Sequence, residues 1–435
     1  MTEMAETSTV ATRTADAVAA RLGQRYAAER RFRIMGLAAV LISMGFLAML
    51  LVSIVTKGYT AFVQTQVAVE ITFDPQVIDP EGKGDAAAID AADYAALVRA
   101  GMATRLAPDA DRGARRDLTG LISTGSTEQL HQMVAADHSL IGTTRAVWLV
   151  ASDKLDLVAK GQVSRVPGAE GNMLNDRQLS WLGDLEKMGQ IRRSFNVTFF
   201  TGGDSRAPEQ AGIWGAVVGS FFSLAVTLLV SFPLGVATAV YLEEFAPINR
   251  WTDLIEVNIN NLAAVPSVVF GLLGLAVFLN IFHMPRSAPV VGGLVLALIC
   301  LPTIIIAGRA ALKAVPPSIR QAAAGLGASK LQIVAHHVLP LAMPGMLTGT
   351  ILGMARALGE TAPLLMIGMV AFIVDIPKSP MDPSAVLPVQ VYLWAGSSER
   401  AFVEKTSGAI MVLLLFLVAM NMVAIVLRKK FERRW

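Results

Sequence analysis

Long apolar runs are the feature of this 435-residue chain that most limits its fold. Six of them reach the ~20 residues that a helix needs to cross the hydrocarbon core of a bilayer. Only 16% of the residues are charged and 54% are hydrophobic, which leaves too little charge for the surface of a soluble protein. We therefore expect an all-α polytopic membrane protein. The six runs are Ile34–Val55, Ile213–Leu242, Leu254–Asn280, Val290–Leu312, Leu341–Ile373 and Gly408–Leu427.

Basic residues flank the apolar region on both sides and indicate how the spans are oriented. The positive-inside rule predicts that both termini lie in the cytoplasm. Flanking of membrane spans explains these clusters better than nucleic-acid binding does, so we expect no nucleic-acid partner. The first run is too long for a signal-peptide core and lacks a small-residue cleavage site, which predicts an uncleaved anchor. The clusters are Arg25, Arg30, Arg31 and Arg33 before the first run, and Arg428, Lys429, Lys430, Arg433 and Arg434 after the last.

Residues 57–209 contain no run that could cross a membrane. Helix-like and strand-like stretches alternate there, which predicts a small α+β domain inserted after the first span. Counting spans from a cytoplasmic N-terminus places this domain outside the membrane, and long loops escape the positive-inside rule. The helix-like stretches are Asp85–Leu106 and Ser126–Leu140, and the strand-like ones are Ala68–Phe73, Val147–Ala151 and Asn196–Phe200.

The predicted domain plan follows from these runs. It has a cytoplasmic tail at 1–33, a first transmembrane helix at 34–56, the extracytoplasmic insertion at 57–209, a five-helix core at 210–428 and a cytoplasmic tail at 429–435. A polar loop at 314–340 interrupts the core. The single cysteine, Cys300, excludes a disulfide within the chain and is expected to be a small core residue.

The polar loop reads as a helical hairpin on the cytoplasmic surface. Pro316 and Pro317 should end the preceding helix, and Ser318 is a candidate cap for the next one. Residues 319–338 suit two short helices, with Gly327 allowing a bend, before the chain reopens at Leu339 and Pro340. Small residues on one face suit docking into a groove on a partner. The alternative is an ordinary linker between two spans.

The loop resembles the coupling loop of ABC importer permeases, which docks on a partner ATPase. The similarity lies in Gln321-Ala322-Ala323, in Gly327 four residues after the second alanine, and in the closing Leu339-Pro340. Gln321 stands where the family usually has glutamate, and His337 stands where it has isoleucine. The resemblance implies an ATPase contact that depends less on a salt bridge at Gln321.

Two opposite charges lie inside the fifth predicted span. Burying a charge in a bilayer costs roughly 2.5–3.5 kcal/mol on insertion scales, so Arg356 and Glu360 need an explanation. They are four residues apart and share one helix face, so a pair that only neutralises itself is one explanation. The other is a pathway in which Arg356 meets an oxyanion and Glu360 tunes it, because guanidinium donors match two oxygens at once. Pro363 should free a backbone carbonyl and kink the helix nearby.

A third charge, Arg309, lies near the cytoplasmic end of the fourth predicted span. Snorkelling of its side chain to the interface competes with a place in the same pathway.

Four stretches resemble the permeases of Pst-type phosphate ABC importers, over about residues 212–428. They are Arg356-Ala-Leu-Gly-Glu-Thr-Ala-Pro363, Ala264-Val-Pro-Ser-Val-Val-Phe-Gly271, Tyr241-Leu-Glu-Glu244 and Leu301-Pro-Thr-Ile-Ile-Ile-Ala-Gly-Arg309. Thr361-Ala-Pro363 favours the A-type subunit of this family over its C-type partner. The insertion lies outside the common core of the family.

The resemblance implies a type I ABC importer permease bundle in a bacterial inner membrane, with a function in phosphate uptake. In this family, the residues that match Arg309, Arg356 and Glu360 are implicated in phosphate passage. It also implies a C-type permease with which the chain forms a heterodimer, an ABC ATPase dimer and a periplasmic phosphate-binding protein.

Other functions remain open from the residues themselves. The chain has no Gly-x-x-x-x-Gly-Lys-Ser/Thr stretch, so we expect ATP to be hydrolysed by another chain and this one to be no enzyme and to carry no cofactor. A permease for another oxyanion, such as sulfate or phosphonate, would share most of these features. A phosphate-sensing membrane receptor would need a cytoplasmic output domain, for which the chain leaves only two tails and two loops.

Overall fold

The computed structural model describes residues 2–80, 82, 86–108, 111–166 and 172–431. The chain forms two compact units, residues 1–56 and residues 57–435. Helix α1 runs from Thr2 to Gly58 and accounts for nearly all of the first unit. The predicted tail at 1–33 and the predicted span at 34–56 are therefore parts of one helix. Apolar side chains such as Leu41 and Phe46 are exposed along it, as expected of a helix that lipid covers.

The second unit begins with a three-stranded antiparallel sheet in the order β2-β1-β3. Strand β1 is Val63–Thr72, β2 is Thr144–Val150 and β3 is Ile191–Phe195. Alternate residues of β1 (Val67, Val69 and Ile71) point into a core formed with the surrounding helices. This core confirms the α+β character predicted for the insertion.

Eight helices, α2 to α9, surround this sheet among the described residues. Asp93 divides the predicted helix 85–106, because its carboxylate accepts a hydrogen bond from the Ala96 amide and caps a new helix. Asp85, where that prediction began, lies outside the described residues. The helices are α2 (Pro75–Ile78), α3 (Ala86–Ala91), α4 (Tyr94–Leu106), α5 (Arg112–Thr119), α6 (Ser126–Ala136), α7 (Asp153–Ala159), α8 (Asp176–Lys187) and α9 (Val197–Thr201).

The strand predicted at Asn196–Phe200 is wrong. Strand β3 ends at Phe195, and the Asn196 side chain accepts a hydrogen bond from the Phe199 amide at 3.0 Å. This cap starts α9, so the local capping bond prevails over the β propensity of the valine and phenylalanines that follow.

Helices α10 to α19 form the rest of the second unit. They are α10 (Trp214–Val240), α11 (Arg250–Ala263), α12 (Ser267–Gly274), α13 (Pro289–Lys313), α14 (Pro317–Gly325), α15 (Lys330–Ile333), α16 (Leu339–Gly359), α17 (Ala362–Met366), α18 (Leu387–Ala395) and α19 (Ala401–Phe431). Tyr241–Phe245, Leu275–Ile281 and Val334–Val338 form π-helical turns. Five single helices and one bent pair of the described chain are long and apolar enough to cross a membrane. Counted as one span, the bent pair brings the number to the predicted six.

The bent pair corrects the third predicted span, Leu254–Asn280. Helices Arg250–Ala263 and Ser267–Ile281 meet at an angle of 101°. Pro266 lies at the break, where its ring cannot continue the helix and its nitrogen cannot donate a hydrogen bond.

The fifth predicted span, Leu341–Ile373, is wrong at both ends. Its helix begins earlier, because residues 330–359 run as one apolar helical segment, and it ends at Gly359. Pro363 explains the end, since its ring would clash with the carbonyl of Gly359 four residues before it. Glu360 is extended, with a ψ of 116°, and only the short helix α17 follows.

Helix α13 lies at the centre of the apolar bundle, between α10 and α16. Small residues allow close approach on both sides: Thr227 Oγ1 donates to the Gly293 carbonyl at 3.1 Å, and Gly349 packs directly against Ala307. Gly353 lies beside Cys300, so α16 runs antiparallel to α13.

Lys160, which follows α7, is a buried cation that joins the insertion to the first turn of α19. Its Nζ lies 2.6 Å from Asp156 Oδ2 and 2.7 Å from Glu404 Oε1, and the Lys160 and Glu404 side chains are 3% and 4% exposed. Lys405 is also buried, with its Nζ 5.2 Å from the centre of the Phe199 ring. Because separating buried charges is costly, these contacts hold the insertion against α19.

Candidate functional site

Arg356 and Glu360 lie where the helix of the fifth span ends. Arg356 is in the last turn of α16, and Glu360 is the first residue beyond that helix. The Arg356 Nε and Glu360 Oε1 atoms are 3.6 Å apart, which is longer than a hydrogen bond. Within the described residues, Arg356 makes no hydrogen bond, and its side chain is 50% exposed. Its guanidinium donors are therefore available to a ligand.

The depth of this pair follows from its neighbours on α13. Cys300, near the middle of α13, donates from Sγ to the Gly353 carbonyl at 3.2 Å. Arg356 is one turn beyond Gly353, so it lies at mid-height of the bundle rather than at an interface. Charged side chains at that depth typically face the interior of a bundle or a water-filled cavity, so the half-exposed face of Arg356 is the candidate anion contact.

Arg309 occupies a different place and is paired with two carboxylates. Its NH2 group lies 2.5 Å from Glu256 Oε1, and its Nε lies 3.4 Å from Glu243 Oε2. Lys313 approaches the same Glu243 carboxylate at 3.7 Å. The charge of Arg309 is therefore neutralised by carboxylates from α11 and from the turn that follows α10.

Arg309 and Arg356 do not meet. Gly349 packs against Ala307, so Arg309 lies roughly level with the middle of α16. Arg356 lies about two helical turns away, on the order of 12 Å along the axis. The three residues predicted as one pathway are thus an Arg356–Glu360 pair at mid-height and an Arg309 cluster nearer the polar loop.

The polar loop contains two short helices, as predicted. Helix α14 begins at Pro317, and Pro316 precedes it without a side-chain cap, so the cap predicted at Ser318 is wrong. Proline at the first helical position loses no hydrogen bond, because the amides of the first turn have no partner within the helix. Ser329 caps α15 instead, through a reciprocal pair of bonds with Gln332.

The residues that resemble a coupling loop differ in exposure. Gln321, Ala322 and Gly327 are exposed, Ala323 is buried, and Leu339 and Pro340 are half-buried. Gly327 has a φ of +82°, a backbone conformation that favours glycine, and no atom lies within 4 Å of where its Cβ would be. Beside it, Leu326 is 90% exposed, so an apolar side chain lies at the tip of the loop.

Leu339 and Pro340 do not reopen the chain as predicted. The π-helical turn Val334–Val338 joins α15 to α16, and Leu339 is already the first residue of α16. Pro340 is tolerated at that position because the preceding π-helical turn has already changed the α-helical pattern of backbone hydrogen bonds from the amides there. The loop is consequently joined by continuous helix to the segment that carries Arg356.

Four charged residues near the loop were not predicted as functional. Glu243 and Glu244 belong to the π-helical turn after α10, Glu256 to α11 and Arg320 to α14. The signals are present in the sequence, because Glu243 and Glu244 belong to the family-like stretch Tyr241-Leu-Glu-Glu244 and Arg320 directly precedes Gln321. Their pairing depends on contacts between distant parts of the chain, which spacing does not reveal. Among the described residues, no group of three or more His, Cys, Asp or Glu side chains could hold a metal ion.

Two family models match this sequence. Residues 231–435 match the binding-protein-dependent transport system inner membrane component, and residues 19–167 match a domain of unknown function (DUF3333).

Several characterised or named proteins are similar. The chain is 33% identical over 229 residues to the phosphate transport system permease protein PstA 1 of Mycobacterium tuberculosis, covering 52% of this chain and 74% of that protein. It is 29% identical to PstA of Haemophilus influenzae, covering 52% of this chain and 79% of that protein. Among solved structures, an inward-facing MetNI methionine ABC transporter matches with a TM-score of 0.41 and 17% identity, over 51% of this chain and 95% of that chain.

Proposed function

Because this chain belongs to the PstA family of phosphate transport system permeases, we propose that it is the membrane-spanning subunit of an ATP-driven phosphate importer. Its bundle forms part of the translocation pathway, and the energy comes from ATP hydrolysed on a partner chain. A permease for another oxyanion is not favoured, because the relatives named for a substrate are phosphate permeases.

The observation that carries this proposal is the set of guanidinium donors on Arg356, which make no hydrogen bond among the described residues, at mid-height of the bundle. Guanidinium donors suit two oxygens of a tetrahedral anion at once. Glu360 lies 3.6 Å away, and its ionised carboxylate can accept hydrogen bonds but cannot donate them. Phosphate at neutral pH carries a P–OH group that can donate to such a carboxylate, whereas sulfate carries none. The pair therefore favours phosphate over sulfate.

The partners follow from the family and from the exposed residues. The loop at 314–340, with Gln321, Ala322, Gly327 and the exposed Leu326, docks on an ABC ATPase dimer. A C-type permease completes the pathway as the other half of a heterodimer, facing the exposed side of Arg356. A periplasmic phosphate-binding protein delivers the anion from outside. A PstC protein of Haemophilus influenzae is itself 30% identical to this chain over 201 residues, as expected if the two permease types share one bundle.

The orientation follows from the charges that flank the spans. Basic residues precede the first span and follow the last, so both termini lie in the cytoplasm of a bacterium. The insertion at 57–209 then lies outside the inner membrane, and the loop at 314–340 lies inside.

Measurement of phosphate uptake by the Arg356→Gln variant tests the proposal. In vesicles that contain the assembled importer, we expect the variant to lose labelled phosphate uptake, by about 100-fold or more, while it still assembles with the ATPase. The matched control is Arg428→Gln, which removes a basic residue from the end of α19 that contacts only Thr348 Oγ1, at 3.3 Å, among the described side chains. Normal uptake by Arg356→Gln would refute the assigned role.

A further inference from the structure

The π-helical turn Tyr241–Phe245 carries two consecutive glutamates that pair with different parts of the chain. Glu243 accepts from Arg309 of α13, and Glu244 accepts from Arg320 of α14. The Ala246 amide closes the turn on the Tyr241 carbonyl at 2.8 Å. Single π-helical turns of this kind cost stability and occur frequently at functional sites.

Arg320 ties three elements together through four hydrogen bonds. Its NH2 and Nε groups donate to Glu244 Oε1 at 2.7 and 3.2 Å. Its NH1 group donates to the Val315 carbonyl at 2.7 Å, and NH2 also donates to the Leu312 carbonyl at 3.0 Å. Helix α14 is thereby fixed both to the end of α13 and to the turn after α10. With Glu244 10% exposed and Arg320 26% exposed, the pair is shielded from much of the solvent screening that weakens surface ion pairs.

A second contact joins the same turn to the other helix of the loop. The Lys330 Nζ of α15 lies 5.3 Å from the centre of the Phe245 ring. Both short helices of the loop therefore meet the segment Tyr241–Phe245, one at Glu244 and one at Phe245.

We propose that the Glu243–Glu244 pair is the relay that transmits movement of the ATPase-docking helix α14 to the Arg309 cluster on α13. A displacement of α14 must carry the carboxylate of Glu244 with it, because Arg320 holds that carboxylate with two of its donors. Glu243 is the adjacent residue of the same short turn, so its carboxylate shifts relative to Arg309 and Glu256. The Arg309 cluster is then the point where the middle of α11 and the end of α13 are held together or released. Arg320 and Glu244 are positioning residues, since they act through Arg309 and not on the anion.

This inference rests on the proposed function, because it presumes an ATPase at the loop. The chain of contacts is physically continuous from α14 to α13, as transmission between two sites requires. Loss of one link should lower the number of anions imported per ATP without removing either the ATPase contact or the anion site.

The test compares Glu244→Gln and Arg320→Lys in the full importer reconstituted in proteoliposomes, with phosphate as the transported anion. Glu244→Gln removes the charge and leaves the carbonyl bonds of Arg320, and Arg320→Lys keeps the charge and removes the fork of donors. We expect both variants to hydrolyse ATP while phosphate imported per ATP falls roughly 5-fold or more. Glu186→Gln is the matched control: it breaks a two-bond pair with Arg165 in the insertion and should leave the ratio unchanged.

Each outcome decides the proposal. A wild-type ratio in both variants would overturn it, and so would failure of both to assemble, because the contact would then serve folding alone. If the wild-type complex imports another anion and not phosphate, the proposed function fails, and the same ratio measured with that anion still tests the relay.

Discussion

Removing the buried cation Lys160 should separate the insertion from α19. In Lys160→Met, the carboxylates of Asp156 and Glu404, at 2.6 and 2.7 Å from the lost ammonium, remain in a site that is almost closed to water. Removing one partner of a buried ion pair costs about 3–5 kcal/mol, because the remaining charge is uncompensated. Glu404→Gln should cost less, about 1–3 kcal/mol, since Lys160 retains Asp156 and the amide oxygen still accepts.

Urea titration of the purified protein in detergent, followed by pulse proteolysis within the insertion, measures these differences. With a slope of about 2 kcal/mol per M, Lys160→Met should lower the midpoint by about 2 M. The matched control is Lys187→Met, whose ammonium is 3.2 Å from Asp184 on a side chain that is 80% exposed, and which should cost about 0.5 kcal/mol or less. Combining Lys160→Met with Glu404→Gln should recover stability relative to Lys160→Met alone, because Asp156 then keeps the buried Lys405 as its counter-charge. A midpoint for Lys160→Met equal to that of the control, or no recovery in the double variant, would refute the electrostatic explanation.

Two further perturbations test other parts of the account. Gly327→Val forces a β-branched residue to a φ of +82°, which costs about 1–2 kcal/mol, and should lower the phosphate imported per ATP. Asparagine tolerates that conformation, so Gly327→Asn should import phosphate normally. Equal ratios of phosphate to ATP in the two variants would contradict the docking role of the loop. Burial raises the pKa of Glu209 above its ordinary value of 4.5, and the hydrogen bond from Ser123 opposes the rise. The folded chain therefore holds this proton more tightly than the unfolded chain, so stability should fall as the pH rises from 4.5 through the raised pKa. Glu209→Gln should flatten that part of the pH profile of the urea midpoint, and an unchanged profile would refute the assignment.

The sequence predicts the spans well because crossing a bilayer depends on length and composition, which are local properties. It predicts the breaks less well. Pro363 was expected to produce a kink, but the structure ends the helix four residues earlier, at Gly359, where the proline ring would meet the carbonyl. Pro266 divides the third span by the same restriction. The energy of each break depends on whether neighbouring helices provide hydrogen-bond partners for the freed backbone amides and carbonyls. The sequence of a single segment does not contain that information.

In the candidate site, too, contacts within one segment are predictable from the sequence, whereas contacts between distant segments are not. The Arg356–Glu360 pair was predicted from a spacing of four residues on one helix and is present. Arg309 was grouped with it, but its partners Glu243 and Glu256 come from two other segments of the bundle. Charges that pair across helices leave no periodic signal, so only the fold shows that Arg309 is already neutralised. Likewise, the insertion was predicted as a separate domain, and its attachment to α19 through Lys160 became visible only in three dimensions.

The central claim is that this chain carries phosphate through a pathway at Arg356. Its most direct test is uptake of labelled phosphate by proteoliposomes that contain this permease, its C-type partner, the ATPase and the binding protein. We expect uptake that requires ATP hydrolysis, that a large excess of sulfate does not suppress, and that Arg356→Gln abolishes. ATP-independent uptake, or competition by sulfate as effective as that by unlabelled phosphate, would contradict it.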